Sequence, residues 1–380
     1  MFIYTRNMRR FLHIFAALAI ASTSCACGGN DDPENGNGEE PEAPKITLDA
    51  QIKKKIIQDE AGVTAGDGMY SILLPDGRSI FLMGDSYTGK VTNGTRSTTD
   101  HMYRNTYQIY DNGKVTAITS PNEHSAAVPV GYEYDEARWY WPGHGFVKDN
   151  ILYIFQFLMY QGAADMWGFR YQETHVLEYS LPDIKLIRDY KIPYNGTNIA
   201  IYGAAALCEG DQMYVYAQYE TDSDFYHLVS QVLCARTDKA NIDKKWEYWT
   251  GNGWSENSAD AAVLEGISSI PVSSQFNVFK LRGKYVLLTQ DKHLGDGRIY
   301  TAISDTPYGP WRNLKTIFKV PELPSSKWFT YNAMAHPQFE TDGKILVSFC
   351  VNTSDFAEQF TNVECYRPRF FWYPVENILN

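Results

Sequence analysis

Three acidic residues stand where paired carboxyl groups could catalyse hydrolysis. Asp67 and Asp85 flank the first apolar hairpin of the chain, and Glu220 follows a later apolar strand. Glycoside hydrolysis needs two carboxyl groups across the scissile bond, one protonated and one ionised. Aspartate beside glycine is also common in turns, and a glutamate at a strand end can simply be solvated. We therefore take Asp67, Asp85 and Glu220 as catalytic candidates, each with this structural alternative.

Polar and aromatic side chains suited to sugar contact recur at other strand ends. Aromatic rings are large, rigid and amphipathic, so they fit sugar faces, although they equally suit packing between sheets. His336 could bind substrate, tune a carboxylate or sit satisfied beside a channel. Arg367 could lower the pKa of a site carboxylate or form an ion pair in the closing strand. The substrate-binding candidates are Trp141, His144, Trp167, Glu173, Tyr202, Gln275, Asp291, Asn332, His336 and Arg367.

The sequence lacks the motifs of several other kinds of enzyme. The sequence has no nucleotide-binding loop, Gly-x-Ser-x-Gly elbow or HExxH motif, and no Cys/His spacing typical of zinc. We therefore expect no cofactor and no metal. The formal net charge is -11 and no basic cluster offsets it. Such a balance repels polyanions, which argues against a nucleic-acid partner and favours neutral or cationic ligands.

A strand, a tight polar turn and a very apolar second strand recur five times. The turns are Asp76-Gly77-Arg78, Lys148-Asp149-Asn150, Glu209-Gly210-Asp211, Arg282-Gly283-Lys284 and Asp342-Gly343-Lys344. They lie roughly 60 to 73 residues apart, which is longer than the propeller repeats of about 40 to 50 residues. Each unit therefore holds four strands plus sizeable loops. The pattern predicts an all-β, five-bladed β-propeller; the alternative, a β-sandwich, would not predict an evenly repeated hairpin.

The propeller geometry predicts which residues share a face. The first strand of each blade lines the central channel, the chain turns, and the second strand returns. Residues just before the first strand and just after the second therefore meet at one channel mouth. This places Asp67 beside Asp85 and gathers the other candidates around them. The C-terminal segment YRPRFFWYP is expected to close the ring and to bring Arg367 nearby.

Both ends of the predicted ring resemble a known family. AGDGMYSILLPDGRSIFLMGDSYTG resembles the opening blade of the bacterial propeller family called domain of unknown function 4185. YNAMAHPQF, ILVSFCVN and YRPRF resemble its closing blade, and the resemblance spans 63–374. It implies a glycoside hydrolase related to enzymes that cut D-arabinan, with Asp67 and Asp85 in the site. It also implies an acidic residue within WYWPGHGFV, where His144 stands instead.

The N-terminus is typical of an export signal. Arg9 and Arg10 precede the apolar run 11–21, which is too short to span a bilayer, and small residues lead to Cys25 and Cys27. A cysteine after small residues resembles a bacterial lipoprotein signal; the alternative is simple secretion. We expect a signal peptide over 1–27 with lipidation at Cys25 or Cys27.

The composition of the acidic, Gly/Pro-rich stretch 28–45 predicts a disordered tether. Residues 46–380 are expected to form the propeller domain. Asp31 and Asp32 resemble the acidic export tag of surface lipoproteins in gut Bacteroidetes. The expected location is the outer-membrane surface, held only by the lipid, with the protein a monomer. The remaining cysteines, Cys208, Cys234, Cys350 and Cys365, fit buried free thiols better than disulfides.

Two functions follow from these observations. The first is a surface-anchored glycoside hydrolase that acts on a polysaccharide, arabinan-like by the family resemblance. The second is a non-catalytic glycan-binding lipoprotein on the same propeller. Three acids that converge at the channel mouth would favour the enzyme, whereas aromatics and amides with a single acid would favour the binding protein.

Overall fold

The computed structural model describes residues 46–119, 138–164, 168–194, 196, 200–222 and 229–380. These ranges form five antiparallel sheets, which confirms the predicted five-bladed β-propeller. The predicted signal peptide, the tether, Cys25, Cys27 and Trp167 lie outside the described residues. No helix within the described ranges is long and apolar enough to cross a bilayer.

Each blade contains consecutive strands of the chain, with the first strand innermost. Blade 1 contains β1 (Ala65–Leu73), β2 (Ser79–Tyr87), β3 (Met102–Tyr103), β4 (Thr106–Asp111) and β5 (Lys114–Thr119). Blade 2 contains β6 (Arg138–Lys148), β7 (Ile151–Gln161), β8 (Phe169–Ser180) and β9 (Lys185–Lys191). Blade 3 contains β10 (Ala200–Glu209), β11 (Gln212–Asp222), β12 (Val229–Thr237), β13 (Glu247–Trp249) and β14 (Trp254–Ser255).

The last two blades carry most of the helical structure beside them. Blade 4 contains β15 (Asn277–Leu281), β16 (Lys284–Gln290), β17 (Arg298–Ser304) and β18 (Arg312–Lys319). Blade 5 contains β19 (Trp328–Thr341), β20 (Lys344–Thr353) and β21 (Arg369–Pro374). The helices are α1 (Ala50–Ile56), α2 (Glu358–Thr361) and α3 (Val375–Leu379), with 3-10 turns at Ser258–Asp260 and Val363–Tyr366.

The tight turns between the first two strands of each blade form where the sequence predicts them. Asp342 and Gly343 have φ of 49° and 70°, and Arg282 and Gly283 have φ of 46° and 83°. Positive φ at both central positions is typical of type I′ turns, whose twist matches that of the flanking strands. The turn residues therefore fix the register of each hairpin locally, without help from contacts between blades.

The five inner strands form a closed circuit around the channel. Strand β1 contacts β6 and β19, β6 contacts β10, and β15 contacts both β10 and β19. Large side chains fill the spaces between blades: the ring of Phe155, on β7 of blade 2, lies 6.3 Å from the ring of Trp246, just before β13 of blade 3, centroid to centroid. Edge-to-face pairs of this kind add to the stability that apolar burial supplies.

The two ends of the described chain meet at blade 5. Strand β21 pairs with β20, as expected for the closing strand, and Leu48 forms a single bridge with Phe371 on its outer side. The Asp49 carboxylate accepts a hydrogen bond from Trp372 Nε1 at 2.9 Å. The four cysteines of the domain are free thiols, three of them buried and Cys208 half-buried.

Candidate functional site

Asp67 and Asp85 lie at the same end of the β1–β2 hairpin. The register of this pair shifts on both sides of Gly68, so Asp67 stands in a β-bulge opposite Gly84 and Asp85. Bulges of this kind re-aim a side chain out of the regular alternation of a strand. A Cβ at Gly84 would overlap Oδ1 of Asp67. The missing side chain therefore makes room for the Asp67 carboxyl at the channel mouth.

The Asp67 carboxyl has neutral hydrogen-bond partners. The Tyr331 hydroxyl donates to its Oδ2 at 2.6 Å. Burial raises the pKa of Asp67 to about 7, and the charge of Asp85 adds to the rise, while the hydroxyls of Tyr331 and Tyr366 oppose it. Tyr366 also donates to the backbone carbonyl of Asp85 at 2.7 Å. Asp67 can therefore hold a proton near neutral pH.

The Asp85 carboxyl is held by a cation and an indole. Arg104 Nη1 donates to Oδ2 at 3.0 Å, and Trp141 Nε1 donates to Oδ1 at 2.8 Å. Burial raises the pKa of Asp85, and the Arg104 charge and these two hydrogen bonds oppose the rise. Because its charge is compensated directly, Asp85 is the member of the pair suited to stay ionised.

Aromatic rings form one wall beside the acid pair. The Trp141 ring lies 5.6 Å from Trp139 and 4.8 Å from Phe169, in edge-to-face contacts. The Arg104 guanidinium lies 4.3 Å above the Trp139 ring, a cation–π contact that holds it in place. Trp141 is half-buried, so part of its ring can contact a ligand while its indole N–H holds Asp85.

Glu220 lies in a separate ion pair. Its Oε2 is bound by the ammonium group of Lys292 and by Gln218 Nε2, the latter at 3.0 Å. Burial lowers the pKa of Lys292. No hydrogen bond or ion pair within the described residues joins Glu220 to Asp67 or Asp85. Two of the three predicted catalytic acids, Asp67 and Asp85, therefore lie close together. The third, Glu220, forms an ion pair between blades 3 and 4.

Two half-buried amide side chains form hydrogen bonds across the channel. Gln275 Nε2 donates to the Pro142 carbonyl at 3.0 Å and Asn332 Nδ2 donates to Gln275 Oε1 at 2.9 Å. Ser273 Oγ donates to Asn332 Oδ1 at 2.6 Å. Pro142 belongs to blade 2, Gln275 precedes blade 4 and Asn332 belongs to blade 5. These predicted binding residues thus form cross-channel hydrogen bonds.

His144 is a neutral channel residue. Its Nδ1 accepts a hydrogen bond from the Ala206 backbone N–H at 3.1 Å, and its ring stacks on Tyr70 at 5.0 Å. Burial lowers its pKa to about 4. The imidazole is therefore uncharged at neutral pH and does not replace the acidic residue that the family resemblance implies at this position.

The structure places His336 in the core. It is fully buried, and its ring nitrogens contact Ser71 Oγ at 2.7 Å and Ser348 Oγ at 2.8 Å. Burial lowers the pKa of His336 to about 3. Because both nitrogens already have partners, the geometry favours the third of its predicted roles, a satisfied histidine beside the channel.

Four other predicted binding residues make structural contacts. Arg367 donates to the Thr64 carbonyl at 2.8 Å and pairs with Asp59 at 2.7 Å and Glu364 at 3.3 Å, which is the closing-strand ion pair named as its alternative. Asp291 accepts hydrogen bonds from His293 and Tyr300. Tyr202 is buried among the rings between blades 2 and 3, and Glu173 pairs with Lys191 at 2.8 Å.

Sequence reasoning missed Tyr331. Its residue type and its position just before Asn332, on the inner strand of the fifth repeat, are the signals that could have identified it. Arg104, between β3 and β4, is a second contact beyond the catalytic and substrate-binding candidates. Among the described residues, no three His, Cys, Asp or Glu side chains form a metal-binding group.

Solved structures share this fold at low sequence identity. A candidate hydrolase from Bacteroides ovatus ATCC 8483 is 20% identical, with a TM-score of 0.66 over 89% of this chain and 97% of that one. A xylan β-1,4-xylosidase from Bacillus halodurans C-125 is 9% identical, with a TM-score of 0.50 over 78% of this chain and 50% of that one.

A further solved structure is a GH43 β-xylosidase/α-arabinofuranosidase from a compost microbial metagenome. It is 14% identical, with a TM-score of 0.49 over 87% of this chain and 94% of that one. A search of curated proteins finds no match. The family model described as Domain of unknown function (DUF5005) matches residues 53–374. The chain therefore belongs to the DUF5005 family.

Proposed function

We propose that this protein is a glycoside hydrolase that cleaves a polysaccharide or oligosaccharide with Asp67 and Asp85. One observation carries the proposal: two half-buried carboxyl groups lie close together at the end of the β1–β2 hairpin in opposite environments. Asp67 has the Tyr331 hydroxyl as its donor, and Asp85 has the Arg104 cation. Glycosidases separate the roles of two carboxyl groups through such differences of environment.

The environments assign a role to each carboxyl. Asp67, with a pKa raised to about 7, is the general acid that protonates the glycosidic oxygen as the bond to the anomeric carbon breaks. Asp85, kept ionised by Arg104, activates water or attacks the anomeric carbon. Trp141 presents its ring to a sugar and fixes Asp85 through its N–H.

The substrate class follows from the charge and the aromatic wall. A neutral sugar suits the net negative charge of the chain. It also suits the wall of indole and phenyl rings beside Asp85. The blade resemblance to domain of unknown function 4185 makes arabinan the first substrate to screen.

A polysaccharide screen with product analysis tests the proposal. Asp67→Asn and Asp85→Asn keep the side-chain shape and remove ionisation, so turnover should fall by about 10²–10⁴-fold. Asp76→Asn, in the exposed turn of the same hairpin, is the matched control and should retain activity. Near-normal rates in both site variants on a cleaved substrate would show that these aspartates only shape the bulge.

Glycan binding without cleavage is the second candidate. The Glu220–Lys292 ion pair favours it, because only two acids then share the mouth. Isothermal titration against the same glycans separates the two functions. Binding that weakens in Trp141→Ala, with no product from any glycan, would establish the binding protein and exclude the hydrolase.

We also propose attachment to the outer-membrane surface through Cys25 or Cys27. The apolar run that ends at these cysteines and the acidic stretch after them support this. Stable anchoring takes more than one acyl chain, which the diacyl modification of a lipoprotein cysteine would supply. A Cys25→Ala, Cys27→Ala double variant should leave the membrane fraction of cells, and unchanged membrane association would contradict the anchor.

A further inference from the structure

A row of polar side chains leads from Tyr87, at the end of β2, to Asp67. Tyr87 Oη donates to Gln359 Oε1 at 3.3 Å, and Gln359 Nε2 donates to Asn352 Oδ1 at 3.1 Å. Asn352 Nδ2 donates to Tyr331 Oη at 3.2 Å, and Tyr331 donates to Asp67 Oδ2 at 2.6 Å. Every hydrogen bond in the row therefore points the same way, toward the Asp67 carboxyl.

Backbone contacts fix this direction. The Thr353 backbone N–H donates to Asn352 Oδ1 at 2.8 Å, so this atom must be the acceptor and Nδ2 must face Tyr331. Gln359 then has to present Nε2 to the same oxygen, which turns its Oε1 toward Tyr87. A flip of Asn352 would break the two hydrogen bonds that its Oδ1 accepts, and a flip of Gln359 would set its Oε1 against Asn352 Oδ1.

The short helix α2 locks Gln359 in place. Its neighbour Glu358 accepts hydrogen bonds from Trp328 Nε1 and from Thr353 Oγ1, each at 3.0 Å. Gln359 is 1% exposed and Tyr87 is 3% exposed. At the far end, the Arg96 guanidinium lies 4.3 Å above the Tyr87 ring. The row is thus buried at Tyr87, Asn352 and Gln359 and is bounded by a cation at the end opposite Asp67.

We propose that Tyr87, Gln359, Asn352 and Tyr331 act as positioning residues that stabilise the ionised form of Asp67 and confine the proton of its acid form to Oδ1. Aligned donors polarise one another, so each adds to the pull on Oδ2. The Tyr331 hydroxyl cannot turn toward Asn352, which offers it only an N–H. Oδ2 therefore always accepts, and the proton has only Oδ1, beside Gly84, to occupy.

This inference rests on the proposed function only for its catalytic meaning. In a hydrolase, the row would present the Asp67 proton on one defined oxygen and would keep burial from raising the pKa too far for proton release. The other titratable groups that face Asp67 are Asp85 on β2, Tyr366 in the 3-10 turn before β21, and Cys350 on β20. None of these belongs to the row, so substitutions along it leave them in place.

The test is a carboxyl titration of the full-length protein labelled with ¹³C at the aspartate side chain. The Asp67 signal is assigned by its loss in Asp67→Asn. Tyr331→Phe should raise the Asp67 pKa by about 1 unit, because a hydrogen bond to a charged group is lost. Gln359→Leu should raise it by roughly a third as much, and Tyr87→Phe by less again, since the polarising effect declines along the row.

Gln156→Leu is the matched control. Gln156 is as buried as Gln359 and donates to Tyr107 Oη at 2.6 Å, in a separate group of polar side chains that includes Tyr179. It should leave the Asp67 pKa unchanged. If Gln359→Leu is not folded by circular dichroism, the nearly isosteric Gln359→Met replaces it. An Asp67 pKa that responds equally to Gln359 and Gln156 variants, or not at all to Tyr331→Phe, would overturn the proposal.

No substrate enters this titration, so its outcome is independent of whether a glycan is cleaved. A graded pKa shift without any hydrolysis would support the row and count against the enzyme. Hydrolysis that depends on Asp67, without any graded shift, would support the enzyme and reject the row.

Discussion

At the scale of single residues, the raised pKa of Asp67 makes the stability of the folded protein depend on pH. Its carboxyl has a pKa of about 7 in the folded protein and about 3.9 in an unfolded chain. The stability that it contributes is therefore full below about pH 4 and is lost as the pH rises through 7. An ionised Asp67 at higher pH is a half-buried charge beside Asp85.

Asp67→Asn should therefore stabilise the protein at pH 8, by about 1–3 kcal/mol, and have little effect at pH 4. The amide keeps the acceptor for Tyr331 and removes the charge. Urea unfolding at the two pH values measures the difference. Asp76→Asn, in an exposed turn, should show no such pH-dependent gain, and equal stabilities of Asp67→Asn and wild type at pH 8 would contradict the buried charge.

Arg104 sets the ionisation of Asp85. Removing the guanidinium removes the positive charge that opposes the effect of burial, so Arg104→Gln should raise the pKa of Asp85 by about 1 unit. The acidic limb of the pH–rate profile should then move to higher pH, because Asp85 must be ionised to act. Arg104→Lys keeps a cation and should move the limb less, whereas an identical shift in both variants would argue against a charge effect.

At the scale of elements, the β1–β2 hairpin depends on Gly84. A Cβ at this position would overlap Oδ1 of Asp67, and moving the carboxyl away would disturb its hydrogen bond from Tyr331. Gly84→Ala should cost about 1–3 kcal/mol of unfolding free energy and displace the candidate acid. Gly253→Ala, where a Cβ meets open space, is the control. Thermal unfolding of both variants checks the expectation, and equal melting temperatures would refute it.

The elements also show what the sequence could predict. Turns such as Arg282-Gly283-Lys284 depend on local backbone preferences, so the hairpins and the shared position of Asp67 and Asp85 followed from the pattern. Tyr331 is 264 residues from its partner Asp67, and Lys292 is 72 from Glu220. Side-chain pairings over such separations are set by how blades pack, which no local pattern encodes, so the ion pair between Glu220 and Lys292 could not be predicted from the sequence.

At the scale of the whole molecule, ring closure depends on the C-terminal segment. Deleting 366–380 removes β21, the Arg367 ion pairs and the Tyr366 hydrogen bond to Asp85. It also leaves β20 as an open, apolar edge. The truncated protein should lose cooperative unfolding by calorimetry, whereas removal of Asn380 alone should preserve it. A full truncation that melts like the intact chain would contradict closure.

The bond from Gln275 to Pro142 links blades 2 and 4 and skips blade 3 between them. This hydrogen bond crosses the channel, so the inner strands of blades 2 and 4 cannot move apart independently. We expect this hydrogen bond to obstruct a straight path for a polymer along the channel. A polymer that reaches Asp67 and Asp85 must lie across the rim, and both halves of a cut strand would have to leave by the side they entered.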